Sequence, residues 1–357
     1  MAITARRALV AALVFVGVVA LALALWKVRL LIALLFLAFV VAAAMRPGVD
    51  WLYRRRVPRA AGIAAHYLAF AGFVALVLWL VVPRALDQIS AAVGGDVPTS
   101  QAELQKATKQ TTGITHTVLQ RVQEALEDVP GPGALLDPAL QYTKLGLEIG
   151  FGIFFTLAAA AYWIFERDRV IALVSVLLPT KRRRLVADTW ELIDLKLGAY
   201  VRGQLILILL VGTVLSLAFW AIGLPYWLLV GGYAGLVEII PVVGPLIAGA
   251  AAVGVGLSVS WEHALAAGLI VLAVRLAEDY VVIPRVLGHA VGVSPLLVLV
   301  GVAGTALLFG EATVLLAIPL VAVITTLFDV LVLNRDPGDE DVPTILFQSK
   351  ERDAVSG

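Results

Sequence analysis

Glu238-Ile-Ile-Pro-Val-Val-Gly-Pro245 interrupts a stretch that is otherwise almost all Leu, Val, Ala and Gly. Working outward, Gly223-Leu-Pro-Tyr226 stands before it, and Glu278-Asp279, Pro284-Arg285, Gly288 and Pro295 stand after it. Bare carboxylates and a cluster of helix breakers therefore lie inside sequence that belongs in lipid. A charge at the centre of a membrane helix costs roughly 2.5–3.5 kcal/mol on insertion scales. Backbone that leaves the helix at that depth is tolerated only where protein buries it or water fills a cavity beside it. Such a segment makes a poor anchor and a good pathway.

The whole chain agrees with that placement. Its 357 residues are 61% hydrophobic and 15% charged, whereas a soluble domain is near half apolar and a quarter charged. The expected fold class is an all-α polytopic membrane protein. The formal net charge of +1 makes no case for nucleic acid. With no cysteine, disulfides and thiolate metal sites are excluded. The four histidines are scattered without ligand spacing, so no metal site is expected. No phosphate-binding loop or nucleophile elbow is present, so no cofactor is implied and ATP drive within this chain has no support.

Hydropathy and charge then give spans and orientation. Residues 1–83 carry three spans, 9–25, 30–45 and 60–82, each near the roughly 20 residues needed to cross. Arg6-Arg7 and the first apolar run could pass for a signal peptide. A second full-length run follows after only Trp26-Lys27-Val28-Arg29, and a hairpin of two spans is the better reading. Arg46-Pro47 closes the second span and Pro83-Arg84 the third. Arg46, Arg54, Arg55, Arg56 and Arg59 place the intervening loop in the cytoplasm. Residues 84–144 form a polar insert, extracytoplasmic by parity, in which Leu104, Ile114, Val118, Val122 and Leu126 trace an amphipathic helix. A fourth span, 145–165, returns to a basic segment, 166–204, that contains Lys181-Arg-Arg-Arg184. There Trp190, Ile193, Leu197 and Tyr200 keep a three-to-four rhythm, as in a helix lying on the membrane surface or a neighbour.

Residues 205–333 form the expected transport core. The runs 227–259 and 296–333 are each too long for one crossing, since about 33 residues make a helix of about 50 Å. Pro241, Gly244 and Pro245 break the first, and Gly310 and Pro319 break the second. Two broken, hairpin-like segments are therefore expected, the pattern that marks a transporter's substrate site. The tail, 334–357, is hydrophilic and reads as disordered and cytoplasmic, so both termini lie in the cytoplasm.

Five charged residues carry what chemistry the core offers. Glu238 precedes two prolines and a glycine, where backbone groups are released from helical pairing. Left without a partner it would shed its charge by taking up a proton, and as an anion it could hold a cation or polar solute. It could also cap the half-helix that follows. Arg275 faces Glu278 at i,i+3 and Asp279 at i,i+4, the spacing of ion pairs along one helix face. Three charges for one pair leave a carboxylate over. Glu311 follows Gly310 at the tip of the second broken segment.

Taken together, Tyr200-Val-Arg-Gly-Gln204, Gly223-Leu-Pro-Tyr226 and Glu238-Ile-Ile-Pro-Val-Val-Gly-Pro245 resemble the AI-2E (autoinducer-2 exporter) transporter family, also called PerM-type permeases. Glu278-Asp-Tyr-Val-Val-Ile-Pro-Arg-Val-Leu-Gly288, Val293-Ser-Pro295, Phe309-Gly310 and Ala317-Ile-Pro-Leu320 continue the resemblance. It implies a multi-pass protein of the bacterial inner membrane, with about eight membrane segments, that exports a small hydrophilic solute such as autoinducer-2. It also implies a homo-oligomer surrounded by lipid, with sodium/proton exchange as the alternative activity. By position, the motif residues are Glu238, Pro241, Gly244, Pro245, Glu278, Pro284 and Gly288. Asp279 departs from the family, which often has Asn there, and so adds a charge. Two other classes remain: an intramembrane enzyme, for which no nucleophile–base or metal set is visible, and a scaffold that only assembles partners.

Overall fold

The computed structural model describes residues 2–92, 136–240, 243–286, 294–340 and 342. Among these residues the chain is helical throughout its regular structure. The elements are α1 (Ala2–Lys27), α2 (Arg29–Arg54), α3 (Arg59–Ala92), α4 (Leu136–Val176), α5 (Thr180–Ala221), α6 (Trp227–Val237), α7 (Val243–Leu257) and α8 (Trp261–Ala277). A π turn (Glu278–Val282), α9 (Ile283–Val286), α10 (Pro295–Phe309), a 3-10 turn (Glu311–Leu316) and α11 (Ala317–Leu331) follow. Six described stretches are long and apolar enough to cross a membrane, at Leu9–Lys27, Arg29–Arg54, Arg59–Val77, Gly146–Val176, Arg182–Ala221 and Thr313–Leu331. The protein is an all-α polytopic membrane protein. The first of these stretches buries none of its surface within the chain, as suits a helix whose solvent is lipid.

Several helices run further than the spans read from hydropathy. α2 continues through Pro47 to Arg54 and α3 through Pro83 to Ala92. A proline removes one backbone bond and kinks a helix without always ending it, and Arg46 pairs with Asp50 at 3.3 Å across the Pro47 turn. α4 carries the fourth span onward through Glu166-Arg-Asp-Arg169. α5 joins the basic amphipathic segment and the fifth span into one helix of 42 residues. The central part of the insert, including Leu104 to Leu126, lies outside the described residues.

The chain divides into two compact units. The first is Met1–Ala44, Gly152–Gly198 and Val291–Glu340. In it Phe39 of α2 meets the Trp163 ring edge-on at 5.3 Å, and Trp163 of α4 stacks on Trp190 of α5 at 5.6 Å. The expected surface rhythm of α5 is thus partly inward, with Ile193 and Leu197 buried. Arg167 of α4, itself buried, pairs with Asp194 and with Glu191 at 2.7 Å. Lys196 donates to Thr326 Oγ1 of α11 at 3.1 Å and pairs with Glu340 at 2.6 Å. The start of the tail is therefore tied down by a buried lysine. α10 and α11 pack antiparallel. Gly301 leaves room there for Val321, and Thr313 Oγ1 donates to Thr305 O at 3.1 Å. The chain turns between them at Gly310, whose φ of 104° is glycine's own region.

The second unit is Met45–Phe151, Ala199–Ala290 and Asp341–Gly357. Its core joins Val211, Leu215, Phe219, Leu224, Val230, Ala234, Ala248, Ala252 and Ala267. α5 ends in a Schellman turn. Gly223 takes φ 72° and donates to Trp220 O at 3.0 Å, and Leu224 donates to Phe219 O at 2.9 Å. Phe219 and Leu224, both buried, seal that turn. α6 then returns antiparallel against α5 at backbone distance. A Cβ on Gly235 would lie 2.6 Å from Ile208 O and 2.7 Å from Gly212 Cα, and one on Gly231 would run into Ser216. α7 and α8 form a helical hairpin, in which Gly249 faces Val271, Gly268 faces Val253, and a Cβ on Gly256 would lie 2.5 Å from Ala264 Cα.

Candidate functional site

The site begins where α6 stops. α6 has 11 residues and α7 has 15, so the two are about 16 and 22 Å long at 1.5 Å per residue. Neither matches the roughly 30 Å hydrocarbon core. The expected break is real, and Glu238 sits at it as the C-cap of α6. Tight turns carry the chain on, with Ile240 N–H donating to Val237 O at 2.9 Å and Gly244 N–H to Ile240 O at 2.9 Å. Gly244 is required there, because a side chain would strike the Val237 carbonyl. Pro245 falls in the first turn of α7, where a missing N–H costs nothing. Pro241 and Gly288 lie outside the described residues.

A second irregularity lies at the end of α8. The helix widens into the π turn Glu278–Val282, closed by Ile283 N–H donating to Glu278 O. Pro284 does not end the helix, since one more turn follows as α9. The proline supplies no N–H, and its ring collides with the carbonyl four residues back in a regular helix. Widening the turn before it is a way to keep the chain helical, and π turns recur at functional sites.

These two irregularities bring four of the predicted residues together. Arg275 Nη1 donates to Glu238 Oε1 and to Glu278 Oε2, both at 3.1 Å, and its Nη2 lies 2.9 Å from Asp279 Oδ1. The pairs along the helix face form as their spacing predicts, and Glu238 joins from α6, 37 positions away. Glu238 is 7% exposed and Glu278 only 2%. The side chains of Arg275 and Asp279 are 29% and 41% exposed, so the group grades from a sealed end to an open one. One guanidinium faces three carboxylates, which leaves two negative charges over when all are ionised. Glu278 Oε1 lies buried with no hydrogen-bond partner among the described residues. A buried polar atom without a partner costs about 1–3 kcal/mol, more when charged. Such an atom accepts from any donor or cation that reaches it.

Glu311 opens the 3-10 turn after Gly310, in the first unit. Pro295 and Pro319 stand in the first turns of α10 and α11 and start helices rather than break them. Among the described residues no group of three or more His, Cys, Asp or Glu is placed to hold a metal ion.

Sequence reasoning placed Gln204 in the family-like run Tyr200–Gln204 but gave it no role. Its Nε2 donates to the backbone carbonyl of Glu238 at 2.9 Å, and nothing in its local pattern pointed to that carbonyl. The small residues Gly212, Ser216, Gly231 and Gly235 were passed over. Their four-residue spacing on α5 and on α6 was the available sign of close helix packing.

Relatives match over most of both chains. YrrI of Bacillus subtilis is 24% identical over 302 residues, covering 81% of this chain and 83% of its own length. YueF of the same organism is 26% identical over 298 residues and 78% of each chain. MT0215 of Mycobacterium tuberculosis is 24% identical over 325 residues, 89% of this chain and 88% of its own. All three are named, provisionally, as transport proteins. Residues 13–333 match the sequence model of the AI-2E family transporters, and with its spanning helices and broken core this chain belongs to that family of membrane transporters.

Proposed function

We propose that this transporter exports a small hydrophilic solute, of the size and polarity of autoinducer-2, across the bacterial inner membrane. Glu238, Arg275, Glu278 and Asp279 are the groups that bind the solute or its coupling ion, within a core spanning residues 205–333. The reading rests above all on the buried Oε1 of Glu278, without a hydrogen-bond partner among the described residues, beside an arginine that three carboxylates already share. A purely structural ion pair is balanced, because leftover buried charge destabilises the fold. Here the excess acid is retained at a break in the helices, where something with donors or positive charge completes it. The arginine rim of the second-to-third span loop, Arg54 to Arg59, favours a cytoplasmic loop, which puts both termini in the cytoplasm.

A second reading, sodium/proton antiport, is favoured by the same excess of negative charge. The membrane potential supplies about 2.3 kcal/mol per charge per 100 mV, enough to drive either process. Reconstituted vesicles separate the two. Autoinducer-2 and pH-gradient-driven sodium flux are followed side by side for the parent protein, for Glu238→Gln, and for Lys144→Ala at an exposed position. Flux lost in Glu238→Gln and kept in Lys144→Ala supports the site, and equal flux in all three removes Glu238 from the mechanism.

A further inference from the structure

The carbonyl of Glu238 lies just past the end of α6 at Val237, and the residue three positions on, Pro241, has no N–H to give to a tight turn. A carbonyl is costly to bury without a donor, so its peptide plane turns toward one that is within reach. The donor is Gln204 of α5, whose Nε2 reaches the carbonyl at 2.9 Å. That reach is set by the rungs above it. Gly235 lies against the Ile208 carbonyl with no room for a Cβ, and one helical turn further along both helices Gln204 meets Glu238. The glycine contact fixes the spacing and the amide fixes the plane. The plane fixes the direction from which the Glu238 side chain leaves the chain toward Arg275.

We infer that Gln204 is a positioning residue for transport: its side-chain amide clamps the Glu238 carbonyl and so holds the Glu238 carboxylate on Arg275 Nη1. The inference rests on the role proposed for Glu238. It adds that the break in the helices is pinned from outside the acid–arginine group, by a neutral side chain.

The chain has no cysteine, so paired nitroxides can report on the break directly. Labels at Ile239→Cys and Leu265→Cys, both exposed positions, report the distance from the break to the N-terminal part of α8. With Gln204 present, a single narrow distance distribution is expected. Gln204→Met keeps the length of the side chain and removes the donor, so it broadens or splits the distribution. In Gln204→Glu only the protonated acid donates, so its distribution is broad at high pH and narrows on acidification beyond any change in the parent. An unchanged distribution in Gln204→Met overturns the inference. Should that variant fail to fold, a pH-insensitive distribution in Gln204→Glu overturns it instead.

In vesicles carrying autoinducer-2 or sodium, Gln204→Met lowers the maximal rate about five- to tenfold, the size of one neutral hydrogen bond, with little change in KM. In a Glu238→Gln background the same change adds nothing, since both act on one group. An additive loss shows instead a role unconnected with Glu238. If Glu238→Gln leaves flux intact, the proposed function fails at that residue, and the nitroxide distances still decide what Gln204 does.

Discussion

Arg275 on α8 holds Glu238 on α6 at 3.1 Å through the same nitrogen that holds Glu278. Two acids from separate helices therefore compete for one donor. Neither can leave without changing the balance of the other, and this shared nitrogen makes the group a device rather than three independent ion pairs.

Replacing Arg275 is the most damaging single change in the group. Arg275→Gln leaves Glu278 buried without its cation, which for a fully buried pair costs 3–5 kcal/mol. With Arg275 partly exposed, about 2 kcal/mol is expected. Unfolding in detergent checks this, and Arg275→Gln should fall well below Glu238→Gln. Arg275→Lys should recover stability only in part, because a single ammonium cannot reproduce the fork that serves three carboxylates.

Transport should lose its pH dependence with Glu278 before it loses its rate with a glycine. Glu278→Gln removes a titratable group, whereas Gly249→Ala adds a methyl in ordinary contact with Val271, 3.5 Å away. Flux measured from pH 5 to 9 in vesicles (about two units to either side of neutrality) should flatten in the first variant only. Two superimposable profiles would remove Glu278 from proton handling.

Close packing of α5 on α6 is tested by two neighbouring glycines. Gly235→Ala places a methyl 2.6 Å from the Ile208 carbonyl, an overpacking that costs about 1–3 kcal/mol. Gly232→Ala meets nothing within 4 Å and should be neutral or stabilising by up to about 1 kcal/mol. Thermal unfolding of the pair in detergent gives the order, and a reversed order would place the two helices further apart.

The start of the tail should come loose when its acid is removed. Glu340→Gln takes the counter-charge from Lys196, which is buried and among the described residues keeps only Thr326 Oγ1. Limited proteolysis should then cut within residues 334–340 several-fold faster than in the parent. A cleavage rate equal to the parent's would show that the strap is held by other contacts.

Much of the fold was legible because lipid enforces a simple rule. Long apolar runs must be helices, since every backbone group needs a partner inside its own segment. The first spans, the break at Glu238 and the turn at Gly310 followed from composition and helix breakers alone. The pairs of Arg275 with Glu278 and Asp279 followed from helical spacing. Helix ends were less legible. Proline at 47 and 83 was read as a stop, yet a helix can absorb a proline by kinking or, as before Pro284, by opening a π turn.

The sequence by itself determined the class of protein, the first five long spans, the breaks at Glu238 and Gly310, and which charged side chains lie within lipid-like sequence. Only the tertiary structure decided that Glu238 meets Arg275, that Gln204 reaches the Glu238 carbonyl, and that Lys196 holds Glu340. Each of these joins residues 34 or more positions apart. Local pattern is blind at that range, because the contact depends on helix register. Here that register is set by where glycines let two backbones touch.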